Sequence, residues 1–428
     1  MTVKSHLTGR KWIVLLTICL TTAVITELPY LRWALYEPLR EWLGQTNTEF
    51  GASMSLFGIV AAIGYIPGGW IADRVSHRKM FAISSILCGL IGFWFATCPS
   101  YIETMIIHVL WAITNITMFW PVMTKAVAML EDAKGQGKVF GLFEGIRGII
   151  LVGLMAVLMQ IFERFGGIQM VIVALSVFSI LCGIIAFLFM EDNVAKGEKS
   201  ENTVLRDMLA VVKIPAVWLV AGVIFTIYLA YNTSSYMSPY VENVLGMTAV
   251  VAGYITILRK DITRIVAAPL SGWISTKMDG ACTKVIGGFC VIMIAAIAGL
   301  MVVPEGSSML IVAIVLMLIS SFAIYGMRGM YYAIIGEIGT PTHIYGAVAG
   351  WASFIGFLPD AFNASVCGVI LDAIPGAAGY RVIFGYMLAT LVVCLILVLA
   401  LLRLVNKAKK GVNIFGAAGT VPETASNG

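Results

Sequence analysis

Twelve apolar stretches, each long enough to cross a hydrocarbon core about 30 Å thick, follow one another along this chain, near residues 12–37, 50–73, 80–97, 103–130, 138–162, 168–190, 214–240, 249–275, 284–303, 308–334, 344–372 and 380–403. Inside lipid no water satisfies the backbone, so runs of this length must be helices whose N–H and C=O groups pair internally. Together they take up most of the 428 residues. Composition agrees, with 60% hydrophobic and 12% charged residues, about half the roughly 25% charge of a soluble domain. A disordered chain and a soluble enzyme are both excluded.

The first stretch follows Lys4, Arg10 and Lys11 as a signal peptide core would, but it runs past residue 25 without a small-residue cleavage site and reads as a permanent helix. Of the 28 Lys and Arg, 19 lie at the N-terminus, in even-to-odd loops and in the tail, three in the opposite loops (Arg40, Arg164, Arg381) and six within spans. The positive-inside rule then puts both termini in the cytoplasm. A polar connection over 191–213 separates two six-span halves, 1–190 and 214–405, and residues 406–428 read as a flexible cytoplasmic tail. The net charge of +5 is topogenic and implies no nucleic acid. The eight cysteines stand singly without ligand spacing, so buried thiols are expected, with no metal and no cofactor.

Spans three, six, nine and twelve carry no charge in their interiors, whereas spans one, five, eight, ten and eleven do. Intramembrane charge is costly and faces a bundle interior or a wet cavity, so every third helix is expected to face lipid while the others line a central space. The halves also share a motif: Gly69-Trp70-Ile71 at the end of span two recurs as Gly272-Trp273-Ile274 at the end of span eight, 203 residues on. Two copies of one six-helix unit explain both regularities.

The segment Gly69-Trp-Ile-Ala-Asp73-Arg74-Val-Ser-His77-Arg78-Lys79 closely resembles G-x-x-x-D-R-x-G-R/K-R/K, the loop between the second and third helices of the major facilitator superfamily, with Ser76 in place of the usual glycine. The resemblance covers essentially the whole chain. It implies an all-α membrane protein of 12 transmembrane helices in two pseudo-symmetric six-helix bundles. Gly69, Asp73, Arg74 and Arg78 would form a charge latch at the cytoplasmic seam between halves, Asp73 pairing with Arg and a helix N-terminus; a set of purely topogenic charges is the competing role.

The charges inside spans are Glu27 and Arg32, Glu144 and Arg147, Arg259, Lys260, Asp261 and Arg264, Arg328, and Asp360. Counting back from Gly272 at about 1.5 Å per residue puts Arg259 near the bilayer midplane, where facilitator-type carriers bind substrate. Glu144 with Arg147 and Asp261 with Arg264 stand at i, i+3 and can cancel. Arg32, Arg259 and Arg328 have no acidic residue at three or four positions and require another helix or a ligand. A guanidinium is always charged and offers a planar fork to carboxylate, sulfonate or phosphate, so these arginines point to an anion.

Polar and aromatic residues gather on the same spans: Tyr30, Trp33 and Tyr36; Trp111, Asn115 and Trp120; Tyr228, Tyr231, Asn232 and Tyr236; Tyr331 and Tyr332. Tyr and Asn can bond hydroxyls and aromatic faces can stack on a sugar; an interfacial belt is the competing role of Trp33, Tyr36 and Tyr236. Leu31-Arg32 with Pro38, Phe119-Trp120-Pro121, Gly141 to Gly148, and Glu337 with Gly346 to Gly350 also resemble the organophosphate/phosphate antiporter and anion:cation symporter branches. That resemblance implies a substrate-binding arginine at Arg32. It departs at Ala230, where a second substrate arginine would stand, and at Arg147, which replaces a histidine, so phosphate exchange does not carry over.

A carboxylate at membrane depth can carry a proton, and Glu27 and Asp360, lacking a basic partner on their own helices, are the first candidates, with Glu144 and Asp261 second. Glycines 141, 145, 148, 153, 326, 329 and 336 permit close packing or bending. The expected function is proton-coupled, alternating-access transport of a small polar organic anion, such as a sugar acid, sugar phosphate or sulfonate, by a monomer in the cytoplasmic membrane of a bacterium. A neutral sugar or nucleoside carrier and a ligand sensor without transport are the competing readings. An enzyme is not expected, for want of a nucleophile elbow or HExxH, nor a primary pump, for want of a P-loop.

Overall fold

The computed structural model describes residues 9–131, 136–191 and 211–410, with 412, 414 and 415. Most of the expected central loop and tail, 192–210 and 416–428, lies outside them. Among the described residues there is no strand. The first half forms α1 (Gly9–Tyr30), α2 (Tyr36–Trp42), α3 (Asn47–Arg74), α4 (His77–Phe95), α5 (Tyr101–Ala112), α6 (Trp120–Ala128), α7 (Gln136–Arg164) and α8 (Ile168–Phe189). The second half forms α9 (Pro215–Thr233), α10 (Met237–Asn243), α11 (Ala249–Thr256), α12 (Thr263–Lys277), α13 (Cys282–Met301), α14 (Leu310–Arg328), α15 (Ala333–Glu337), α16 (Thr342–Gly356), α17 (Asn363–Ala373) and α18 (Ala377–Lys409).

Eleven helical stretches among the described residues are long and apolar enough to cross a membrane. The remaining expected crossing, 249–275, is helical through Ala249–Lys277. It is not among the eleven, because Arg259, Lys260, Asp261 and Arg264 fall within one short segment of it.

Several spans are interrupted, mostly beside proline. A 3₁₀ turn at Leu31–Trp33 separates α1 from α2, between Pro29 and Pro38. A π turn over Ile113–Phe119 leads into α6, whose Pro121 lacks an N–H and crowds the carbonyl of Thr117 four residues back. The 3₁₀ turn Ser234–Tyr236 precedes Pro239 in the same way, and Leu358–Ala361 contains Pro359. A second π turn, Ile257–Ile262, joins α11 to α12. Beyond Arg328 the chain makes turns over 329–332 before α15 resumes.

Two compact units result: one of Met1–Gly197, Tyr236–Ile265 and Asp360–Gly379, the other of Glu198–Ser235, Val266–Pro359 and Tyr380–Gly428. Of the four later chain crossings, those at 235/236 and 359/360 fall within 3₁₀ turns. In the first unit α4 packs on α8, α1 on α7 and α8, and α3 on α17. The α4–α8 approach uses small residues: Ser179 Oγ donates to the Ser85 carbonyl at 2.8 Å, and a methyl on Gly89 or Gly183 would collide with the facing backbone. In the second unit α13 packs on α14 and α9 on α16, with Trp218 edge-on to Trp351 at 5.4 Å. Ile63, Leu188 and Ile311 are among many large apolar side chains left exposed. Water would penalise such faces, whereas hydrocarbon solvates them.

Candidate functional site

In the first unit the fold brings Phe50 and Tyr236, from two distant segments, onto Arg32 beside its own neighbour Tyr36. Arg32, in the 3₁₀ turn, is buried; Nη1 donates to the Phe50 carbonyl at 2.9 Å and Nη2 to Tyr236 Oη at 3.3 Å. Tyr236 Oη in turn donates to the Ala364 carbonyl at 3.0 Å. The guanidinium lies 4.5 Å from the Phe50 ring centroid and 5.2 Å from that of Tyr36, and Tyr36 Oη donates to Asn47 Oδ1 at 3.0 Å. Arg32 is thus the hub of a protein-internal network, with no carboxylate in ion-pair range among the described residues.

The same unit holds a buried charge cluster. Lys260 Nζ stands 3.4 Å from Glu27 Oε1 and 5.9 Å from the Trp33 ring, and the charges of Lys260, Asp261 and Arg264 all act on Glu27. The π turn places Arg259, Lys260 and Asp261 in succession, all buried, and packs against α7. Asp261 is 1% exposed, and its Oδ1 has no hydrogen-bond partner among the described residues. On α7, Arg147 is buried and pairs at 3.2 Å with Glu144, whose side chain is 50% exposed. The cross-helix Lys260–Glu27 pair escaped the sequence reading, which tests only neighbours at three and four positions.

Elsewhere in this unit Asn115, in the π turn, donates to Cys88 Sγ at 3.5 Å, and Trp111 Nε1 donates to the Cys88 carbonyl at 3.3 Å, so both serve the packing of span four on α4. Trp120 is half-buried at the start of α6, and Asp360 half-buried in the turn before α17, its backbone against Gly58. Of the loop motif, Arg74 is exposed at the end of α3 and Arg78 lies 4.3 Å from the Phe187 ring centroid. The side chains of Gly69 and Asp73 lie outside the described residues.

The second unit carries the other arginine. Arg328 ends α14, where a cation is favoured by the helix dipole. Its guanidinium lies 3.7 Å from the Tyr231 ring centroid and 5.5 Å from that of Tyr228, with Tyr331 and Tyr325 in its electrostatic reach. The rings support one another: Tyr228 and Tyr231 are 5.7 Å apart, Tyr231 and Tyr325 5.9 Å, Tyr228 and Phe357 4.7 Å, and Tyr331 and Tyr332 4.7 Å. Tyr332 Oη and Ser353 Oγ share a 2.6 Å hydrogen bond, and Asn232 is half-buried one residue beyond Tyr231. Among the described residues Arg328 makes no ion pair and no hydrogen bond, and it keeps solvent access. Tyr325 was not foreseen, although its place three residues before Arg328 on one helix was the available signal.

A helical membrane bundle whose broken and π-wound turns hold its buried ionisable groups has the build of a secondary transporter. The family model of the Major Facilitator Superfamily matches residues 12–364. The chain belongs to that superfamily, and is a multi-pass transporter of the cytoplasmic membrane rather than an enzyme. It is 37% identical over 387 residues to the inner membrane protein YqcE of Escherichia coli (strain K12), covering 88% of this chain and 91% of the relative. It is 30% identical over 393 residues to the inner membrane protein YihN of the same organism, covering 89% and 93%. Among solved structures it is similar to a bacterial homologue of the human lysosomal transporter Spinster (TM-score 0.73, 15% identity, 97% and 99% covered). It is also similar to the D323A mutant of the nucleoside transporter NupG (TM-score 0.75, 14% identity, 92% and 100% covered); at these identities the likeness is one of fold.

Proposed function

We propose that this protein carries a small polar organic anion, of the sugar acid, sugar phosphate or sulfonate class, with Arg328 as its principal anion contact. The observation that carries the reading is the state of Arg328: a permanent cation stacked on tyrosines, with its N–H donors uncommitted among the described residues. A stacked guanidinium keeps its edge available for a bidentate contact with an oxyanion. Tyr228, Tyr231, Asn232 and Tyr331 supply faces and hydrogen bonds for the rest of the molecule. Arg32, Tyr36, Asn115 and Arg147 serve the protein frame in this reading, and Arg259 belongs to the buried charge cluster of the first unit.

Coupling is assigned to the Glu27–Lys260 pair, with Asp261 beside it. Protonation of Glu27 breaks its ion pair with Lys260, and that change of charge is the proposed proton-dependent step. Asp360 and Glu144 are the lesser candidates. Twelve crossings, counting the charged stretch Ala249–Lys277, and cytoplasmic termini complete the proposal.

The test is thermal stabilisation of the purified protein by sugar acids, sugar phosphates, sulfonates and neutral sugars, followed by uptake of whichever compound stabilises it. A ligand of the folded state raises its stability with concentration over Kd. Stabilisation by an anion that disappears in Arg328→Gln supports the assignment; stabilisation by neutral compounds alone refutes it. Uptake that is driven by an internal anion and indifferent to protonophore refutes the coupling.

A further inference from the structure

Both oxygens of Asp372, the penultimate residue of α17, are committed to the first turn of α3. The leading N–H groups of a helix have no partner within it. Asn47 N–H donates to Asp372 Oδ1 at 3.1 Å and Thr48 N–H to Oδ2 at 2.7 Å, while Asn47 Nδ2 and Thr48 Oγ1 add bonds of 2.9 and 2.6 Å. One carboxylate therefore collects four donors at the positive end of a helix dipole. Behind this clamp α3 and α17 touch along a stripe of small residues. Gly368 abuts the Asn47 backbone, Gly51 the Ala364 carbonyl and Gly58 the Asp360 backbone. Ser55 Oγ accepts the Ser365 N–H at 3.2 Å and shares a 2.9 Å hydrogen bond with Ser365 Oγ.

We propose that Asp372 is the latch of a gate at the α3–α17 seam: holding the α3 N-terminus keeps the seam shut, and releasing it lets the seam part during transport. The inference rests on the reading of the chain as an alternating-access carrier. The small residues let the two backbones approach closely, and Asp372 supplies the charged contact at one end of that seam. The clamp is also wired to the Arg32 hub, because Asn47 bonds Asp372 through Nδ2 and Tyr36 through Oδ1, and the Tyr36 ring lies under the Arg32 guanidinium. The chemistry is that expected of Asp73 at the opposite end of α3, so this one helix would be held by an acidic group at each end.

The experiment places a thiol in the seam. In purified protein with Cys98→Ser and Cys282→Ser, Ser55→Cys is labelled with a maleimide in detergent. Adding Asp372→Asn or Asp372→Ala should speed labelling about tenfold, the effect of losing one charged acceptor at a helix N-terminus. Asp372→Glu, which keeps the charge, and Glu305→Gln, which touches another exposed carboxylate, should leave it within about threefold by the same principle. Equal rates in all variants overturn the latch. No substrate is needed, so this arm stands apart from the transport reading. Oxidising the pair Ser55→Cys/Ser365→Cys should then stop uptake, with reductant restoring it. Cross-linked protein that still transports refutes the gate and leaves the transport reading intact; faster labelling with no uptake even when reduced upholds the latch and counts against that reading.

Discussion

Arg32 and Arg328 each sit at a break in an otherwise apolar span, and their surroundings are opposite. Arg32 is 4% exposed and gives hydrogen bonds to a backbone carbonyl and a tyrosine hydroxyl, tying α3 and Tyr236 to the first helix break. Arg328 rests on aromatic faces, which neutralise none of its charge and take none of its N–H groups in plane. A guanidinium whose donors are met by the protein stabilises a shape. One that is stacked but unbonded is ready for a partner. On the proposed function, the contrast assigns Arg32 to structure and Arg328 to recognition without appeal to position along the span.

The sharpest test replaces each in turn. Arg328→Gln should lower anion affinity about 100-fold, the loss of a charge-assisted bidentate contact, while melting within a few degrees of the parent; binding isotherms and melting curves check both. Glu27→Gln leaves the buried Lys260 without its counter-charge and should destabilise the protein by about 3 kcal/mol or more. The pair Glu27→Gln/Lys260→Met should recover most of that while leaving uptake uncoupled from the proton gradient, read by pH-dependent transport.

Arg32→Gln should cost about 1–3 kcal/mol through the loss of its charge-assisted bonds to the Phe50 carbonyl and Tyr236 and change anion affinity less than about threefold. If it abolishes anion binding as Arg328→Gln does, the contrast between the two arginines collapses. The smallest effect belongs to Tyr231. Tyr231→Leu removes the face beneath Arg328 and should weaken binding about fivefold, whereas Tyr231→Phe keeps the face and should stay near the parent value.

The spans and their charges were legible because a long apolar run and a stray charge within it are local signals; the breaks in the spans were not foreseen. Arg32 and Arg328 could be picked out as residues without acidic neighbours on their own helices. Which of them is already satisfied could not, since that depends on Phe50 and Tyr236, brought in by folding. Glu27 illustrates the same limit: its partner Lys260 is 233 positions away. So does Asp372, whose donors lie 324 and 325 positions away and which looks in sequence like an ordinary loop-end carboxylate. Tyr325 is the exception, a miss that helical spacing could have repaired.

The π turn at Ile113–Phe119 has a consequence for insertion and deletion in this span. A π turn holds one residue more than an α turn, which swings everything after it by about 100° around the axis. Residues before the turn, such as Trp111, follow α4, while Thr117 within it fills the space left by Gly64 and Gly68 on α3. Removing a single residue from this segment would let the helix run regular and would carry Trp120 and the rest of α6 onto a different neighbour. One extra residue thus lets a single span present two unrelated faces, and length at this point is as much a part of the protein's specification as the identity of any side chain.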